Sequence, residues 1–301
     1  MSGLYIFCLL SALSSVACSR GGFSSNVLPS AAAQTVGSPG AVLTSPGNTA
    51  SPHSTPPAHE GQPTPEPFAP IDTSSLPPNG DMSQPWRNSE TSIIIDAYEG
   101  NSIDWKLIEK DPRVAGVIHR ASTGLTVDSA YASRKDFALA DGYLWGAYHI
   151  GTSDDPVAQA HLFLQTVGND PKTLWALDLE NTTAQGMMDS SGAEVFLQTV
   201  YQMTGRIMVV YANNSVTLDL NQKLAGDALI HRAKLWYARF VPTIASFPSG
   251  IWSDYFLWQF SSEINCRKTG TCVYNVPGTR YDIDVDVFYG TRDELAGKWA
   301  N

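Results

Sequence analysis

Leu174-Trp175-Ala176-Leu177-Asp178-Leu179-Glu180 is an apolar run of strand length that ends in two acids. Similar runs lie upstream at Ser92–Asp96, Val114–Ile118 and Tyr143–His149, and downstream at Ile207–Tyr211. Helical segments are expected between them, at Ile103–Lys110, Asp128–Ala140, Asp155–Val167 and Ser190–Met203. In the third of these, Val157, Ala160, Leu164 and Val167 recur at helical spacing. Apolar strands alternating with helices indicate a mainly parallel sheet covered by helices. Beyond Tyr211 the alternation fades, and Leu235–Ala238, Tyr255–Gln259 and Ile283–Phe288 read as three more strands. Eight strand candidates in about 200 residues suggest a small α/β barrel related to the eight-stranded β/α architecture. An open doubly wound sheet is the second choice. No Gly-rich phosphate loop follows a strand, so nucleotide binding lacks its usual support.

In such a barrel the chemistry sits at the C-terminal ends of the strands. Asp96, His149, Asp178, Glu180, Tyr211 and Gln259 all fall at such ends. Asp178 and Glu180 are two apart on one predicted strand, so a period of two places both side chains on the same face. Two nearby carboxylates repel, and one tends to keep its proton while the other ionises. Glycosidic cleavage needs that asymmetry: a protonated acid for the leaving oxygen and a negative charge beside the oxocarbenium-like centre. Glu180 has the longer reach and is assigned as the acid.

Asp282, Asp284 and Asp286 alternate in the last strand candidate and would share a face. In a closed barrel the first and last strands are neighbours, so Asp96 is expected to meet Asp284 across the seam. Three alternating Asp without a further Glu or Asn ligand make calcium the weaker reading of this run. No His and Cys grouping has zinc spacing, and neither a metal nor a cofactor is expected. Tyr148, Tyr211 and Trp258 are candidates to stack on a sugar, with packing in the barrel as the competing role. His149 and Gln259 are candidate hydrogen-bond partners in the mouth, and for His149 a structural role stands equally open.

The formal net charge is −10, which argues against a general nucleic-acid binder. It does not argue against carbohydrate, which is bound by stacking and hydrogen bonds. Residues 1–18 read as an export signal: the run Leu4–Ala17 is apolar, ends in small residues and is too short to span a bilayer comfortably. Ser14-Ser15-Val16-Ala17-Cys18-Ser19 resembles a bacterial lipoprotein signal, although Ser15 stands where an aliphatic residue is usual. Two readings follow: a membrane anchor through lipidated Cys18, or an ordinary secretory peptide. Residues 19–90 are rich in Pro, Ser and Thr. Thirteen of the nineteen prolines fall within residues 1–90, and a segment of that composition cannot bury enough apolar surface to offset its ordering entropy. It is expected to act as a disordered, semi-stiff tether ahead of a catalytic domain at 91–301. Export and close spacing together predict a disulfide between Cys266 and Cys272.

The residues at the strand ends resemble glycoside hydrolase family 25, the Chalaropsis-type lysozymes or N-acetylmuramidases. The family's opening Ile-Asp and Trp-containing helix stand here as Ile95-Asp96 and Ile103-Asp104-Trp105. Its Gly-Ala-Tyr-His is Gly146-Ala147-Tyr148-His149, and its Leu-Asp-Leu-Glu is Leu177-Asp178-Leu179-Glu180. Trp236-Tyr237-Ala238, Trp258-Gln259 and Ile283-Asp284-Val285-Asp286-Val287-Phe288 follow in the family's order. The resemblance covers residues 92 to about 290. It implies an irregular TIM-like barrel of five β/α units followed by three further strands. It implies cleavage of the β-1,4 bond between N-acetylmuramic acid and N-acetylglucosamine, with net retention. Glu180 would be the proton donor, Asp178 the stabiliser or nucleophile, and Asp96 and Asp284 the other acids. Two departures stand out. Ala121-Ser122-Thr123-Gly124 replaces the family's frequent Ala-Thr-Glu-Gly, and Asp286 replaces its usual Asn.

The expected partner is therefore the peptidoglycan glycan strand, met by an exported monomer that is secreted, periplasmic or membrane-anchored. Two rivals remain. A chitinase-like glycosidase would need a Glu at position 288, where the residue is Phe288. A non-catalytic peptidoglycan-binding protein would have no use for an intact Asp178 and Glu180.

Overall fold

The computed structural model describes residues 82–270 and 272–300. The export signal, Cys18 and all but the last part of the linker lie outside them. Six strands come first: β1 (Ser92–Ala97), β2 (Val114–Thr123), β3 (Thr126–Val127), β4 (Leu144–Ile150), β5 (Leu174–Leu179) and β6 (Val209–Asn213). Five helices are interleaved with them: α1 (Trp105–Ile108), α2 (Tyr131–Ala140), α3 (Pro156–Val167), α4 (Ser190–Thr204) and α5 (Asn214–Lys223). Then come β7 (Leu235–Ala238), β8 (Leu257–Ser261), β9 (Asp284–Phe288) and a last helix, α6 (Arg292–Lys298). The strand order is β1-β9-β8-β7-β6-β5-β4-β2-β3, and β1 also pairs with β2, so the sheet closes. β3 is a short antiparallel partner of β2 outside the ring, which leaves eight barrel strands. The five β/α units and three further strands expected from the sequence are all present.

Helix starts follow from side-chain caps that satisfy otherwise orphaned N–H groups. Asp155 caps α3 ahead of Pro156, Asp189 caps α4, and Asn213 caps α5. Seven barrel strands run parallel, because each crossover returns the chain to the foot of the barrel before the next strand begins. The exception is β9, which runs antiparallel to both β8 and β1. The chain leaves β8 at the mouth, loops there through residues 262–283, and re-enters from the same end. The start of β9 therefore lies at the mouth and its end at the foot.

Side chains divide into two layers. Ile94, Ile118, Leu174, Ala176, Val209, Trp236 and Leu257 fill the barrel interior. Ile93, Ile95, Val117, Trp175, Leu177, Phe163 and Phe196 pack between strands and helices. The foot is plugged by Trp299, just after α6, whose indole N–H donates to the Trp145 carbonyl at 2.7 Å. Gly146 makes room for it: a Cβ there would lie 2.9 Å from Ile118 and 3.3 Å from Trp299.

Met82–Glu90, read from sequence as the end of the tether, packs on the barrel. Trp86 is buried and stacks on Phe260 with ring centroids 4.0 Å apart, and it meets Trp258 edge-on at 5.3 Å. Gln84 N–H donates to the Pro242 carbonyl at 2.9 Å, and Ile244 N–H to that of Met82 at 2.8 Å.

Candidate active site

Strand parity decides what faces the mouth. On β5 the inward residues are Leu174, Ala176 and Asp178, and Glu180 follows just past the strand end. β1 contributes Asp96, β2 Arg120, β4 Tyr148, β6 Tyr211, β7 Trp236, β8 Gln259 and β9 both Asp284 and Asp286. The β1–β9 register pairs Asp96 with Asp284 and Ile94 with Asp286. The expected meeting across the seam is thus present, and Asp286 lies one layer deeper.

Hydrogen bonds tie this group together. Tyr211 Oη donates to Gln259 Oε1 at 2.9 Å, and Gln259 Nε2 donates to Asp96 Oδ2 at 2.9 Å. Trp236 Nε1 donates to Asp286 Oδ1 at 2.6 Å. Asn213 Nδ2 holds the Glu180 carbonyl at 3.0 Å, which fixes the backbone that carries the acid. Asp284 accepts a backbone N–H from Glu263, which stands just ahead of the Cys266–Cys272 disulfide. Among the described residues, Asp96 Oδ1, Asp178 Oδ1 and Asp286 Oδ2 are buried without a hydrogen-bond partner.

Burial and mutual repulsion shape the protonation of these acids. Burial raises the Asp178 carboxyl well above the usual range. The charges of Glu180 and Asp284 add to this, and Arg120 opposes them. Asp96 is raised by burial and then by Asp286, Asp284, Asp178 and Glu180. Burial, followed by Glu180, pushes Asp284 up to about 7. Glu180 is also raised by burial in the recess, although its side chain still meets solvent. Such a cluster holds protons at pH values where free carboxyls are ionised, which is the condition for general-acid chemistry. Among the described residues no group of three or more His, Cys, Asp or Glu is arranged to hold a metal ion.

Arg120 forms one wall. Its guanidinium bonds Asp128 Oδ2 at 3.1 Å, pairs with Glu99, and lies 4.8 Å from the centroid of the Tyr98 ring. Sequence reasoning missed Arg120, Trp236 and Asn213 as site residues. Parity along β2 would have found Arg120, which is in step with Ile118, the β2 residue paired with Asp96.

Two residues read as substrate contacts are not brought to this group. His149 is wholly buried in the outer layer, where its ring bonds Ser122 Oγ at 2.8 Å and Gln159 Oε1 at 3.0 Å and stacks on Phe196. Burial lowers its pKa to about 4. Trp258 is likewise buried outside the barrel, against Trp86 and Tyr255, with its N–H on the Arg239 carbonyl at 2.7 Å. Asp282 lies ahead of β9 rather than on it, and its carboxylate accepts N–H bonds from Ser102 and Arg280. Asp96, Asp178, Glu180, Asp284, Tyr148, Tyr211 and Gln259 do converge.

Residues 95–269 match the profile of glycosyl hydrolases family 25. The fold is similar to that of a bacterial lysozyme from Streptomyces coelicolor, with a TM-score of 0.57 and 20% identity over 71% of this chain and 99% of that one. It is also similar to a muramidase from Acremonium alcalophilum, with a TM-score of 0.55 and 24% identity over 70% of this chain and 99% of that one. A family GH25 lysozyme from Aspergillus fumigatus gives a TM-score of 0.55 and 20% identity over 70% and 100%. No curated protein sequence matches the chain.

Proposed function

Because the chain belongs to glycosyl hydrolase family 25, we propose that it hydrolyses peptidoglycan at the β-1,4 bond between N-acetylmuramic acid and N-acetylglucosamine. The observation that carries this reading is the pairing of Asp178 and Glu180 at the end of β5, two crowded carboxyls that repel each other, so that one keeps its proton while the other ionises. The similar folds of a lysozyme and two further muramidase-type enzymes agree with it.

Glu180, protonated in the recess, gives its proton to the glycosidic oxygen as that bond breaks. Positive charge then develops at the sugar's anomeric carbon. The 2-acetamido oxygen closes on that carbon from the opposite face, and Asp178 steadies the acetamido N–H. Glu180, now a carboxylate, takes a proton from a water that attacks the same carbon and reopens the ring. Two inversions give net retention. A covalent ester on Asp178 is the alternative route to the same stereochemistry. Tyr148 and Tyr211 line the mouth beside the reacting sugar, and Gln259 holds Asp96 in place.

We also propose that the domain acts outside the cell after export through the N-terminal signal. The segment ahead of Met82 would serve as its tether, with Cys18 as a lipid anchor in the lipoprotein reading. The test is release of dye from labelled sacculi by wild type and Glu180→Gln. Wild-type release that the variant lacks is expected. Sacculus binding by both proteins without release by either would favour the non-catalytic binder instead.

A further inference from the structure

Gln259 on β8 reaches Asp96 on β1 although β9 lies between the two strands. The β9 residue opposite Gln259 is Asp286, and on its other side Asp286 faces Ile94. The Gln259 amide therefore passes over the Asp286 carboxyl on its way to Asp96. Both ends of that amide are committed, Oε1 to Tyr211 and Nε2 to Asp96. Trp236 occupies Asp286 Oδ1. Two buried oxygens are left over among the described residues at this place, Asp96 Oδ1 and Asp286 Oδ2. Each is an acceptor without a donor, and Asp286 is the charge that acts most strongly on Asp96, so a proton held between them would satisfy both.

We propose that Asp286 is a positioning residue that works as a neutral acid: its carboxyl carries a proton on Oδ2 and donates it to Asp96 Oδ1. Asp96 is then an ionised carboxylate gripped from both sides, by the Gln259 amide and by the Asp286 hydroxyl. No bond is made or broken, and the proton stays with the pair.

The proton belongs on Asp286 rather than Asp96 because Asp286 is 0% exposed and Asp96 is 8% exposed, nearer the mouth. The deeper carboxylate has the larger desolvation cost. The groups that face this pair are Asp284 from β9, Asp178 and Glu180 from β5, Arg120 from β2, Tyr148 from β4, Tyr211 from β6, Trp236 from β7 and Gln259 from β8. Only Arg120 among them is a cation, and it is engaged by Glu99 and Asp128. Lys268, from the loop ahead of β9, acts on Asp284 and is engaged by Glu263, and neither cation acts on Asp286. Asp286 is raised well above an ordinary carboxyl, first by burial and then by Asp284, with the Trp236 indole opposing.

The inference uses the glycosidase reading of the mouth for its activity arm only. Infrared difference spectra of wild type against Asp286→Asn at neutral pH form the first arm. Loss of a protonated-carboxyl carbonyl stretch in the variant is expected, and an unchanged carbonyl region overturns the proposal. The second arm compares Asp286→Asn and Asp286→Leu on labelled sacculi, with thermal melts of both. The amide can still donate to Asp96, so Asp286→Asn should keep most of the turnover. Leucine cannot, so turnover should fall roughly ten- to a hundredfold, the factor a hydrogen bond to a charged group commonly carries. Equal turnover in two folded variants overturns it. If Asp286→Leu does not fold, the infrared arm on the isosteric Asn variant decides. If wild type fails to act on sacculi, the proposed function fails while the infrared result stands by itself.

Discussion

Replacing one carboxyl oxygen of Glu180 by nitrogen, as in Glu180→Gln, removes the transferable proton and keeps the shape. Cleavage of unactivated glycan should fall by roughly 10²–10⁴. Asp178→Asn removes the charge beside the cationic centre and should be as severe. A glycoside with a good leaving group needs little protonation, so it should rescue Glu180→Gln in part and leave Asp178→Asn inactive; equal rescue of both in a turnover assay would reverse the assignment. Asp284 makes a pH prediction. Its folded pKa of about 7 lies above the ordinary 3.8, so the fold binds this proton more tightly than the unfolded chain. Its contribution is complete below the ordinary value and is lost as pH rises through the folded one. Asp284→Asn should therefore raise the melting temperature at neutral pH and above, with the gain vanishing toward acid, as followed by calorimetry across pH. His149 has the opposite sign: with a pKa lowered from 6.5 to about 4, its contribution is present above the first value and is lost as pH falls through the second. The convergence of the four acids was legible in the sequence because Asp96, Asp178 and Glu180 stand at or just past the end of a strand and Asp284 opens the strand that closes the barrel. The errors came from naming neighbours together, Tyr148 with His149 and Trp258 with Gln259. Adjacent residues of a strand point to opposite faces, so only one of each pair can reach the mouth.

Strands β1, β2 and β4 to β6 were legible because a strand buried on both faces is nearly all apolar. Helix α5 was not. Its Val216, Leu218 and Leu220 alternate with polar residues as in a strand, and the Asn213 cap and packing against the barrel override that pattern. Helix α6 spans only Arg292–Lys298, too short for periodicity to speak, although its Thr291–Glu294 capping box is a readable start signal. The reversal of β9 was also hidden, since a run such as Ile283–Phe288 does not encode its direction. At this scale Gly146→Ala is the informative change. The added methyl would press on the Ile118 side chain and on the Trp299 plug. Overpacking of this kind costs about 1–3 kcal/mol. Urea unfolding should show the midpoint drop, and an unchanged midpoint would mean the plug can retreat.

For the molecule as a whole, composition set the start of the domain at residue 91, and the structure adds Trp86 to what packs on the barrel. The stretch 82–90 is polar apart from Met82, Pro85 and Trp86, so it reads as linker, and its packing on Phe260 and Trp258 makes it part of the fold. A chain beginning at Met82 should unfold in urea like the full-length protein and keep its turnover. A chain beginning at Thr91 should lose stability by about 3–5 kcal/mol, the usual cost of deleting a buried large aromatic. Equal midpoints for the two would return the boundary to residue 91. The seam strand β9 and the Trp299 plug both come after residue 283. During synthesis, every earlier segment has therefore left the ribosome while β1 still lacks one of its two neighbours and the foot of the barrel is open. A growing chain of this design has no complete intermediate barrel to settle into.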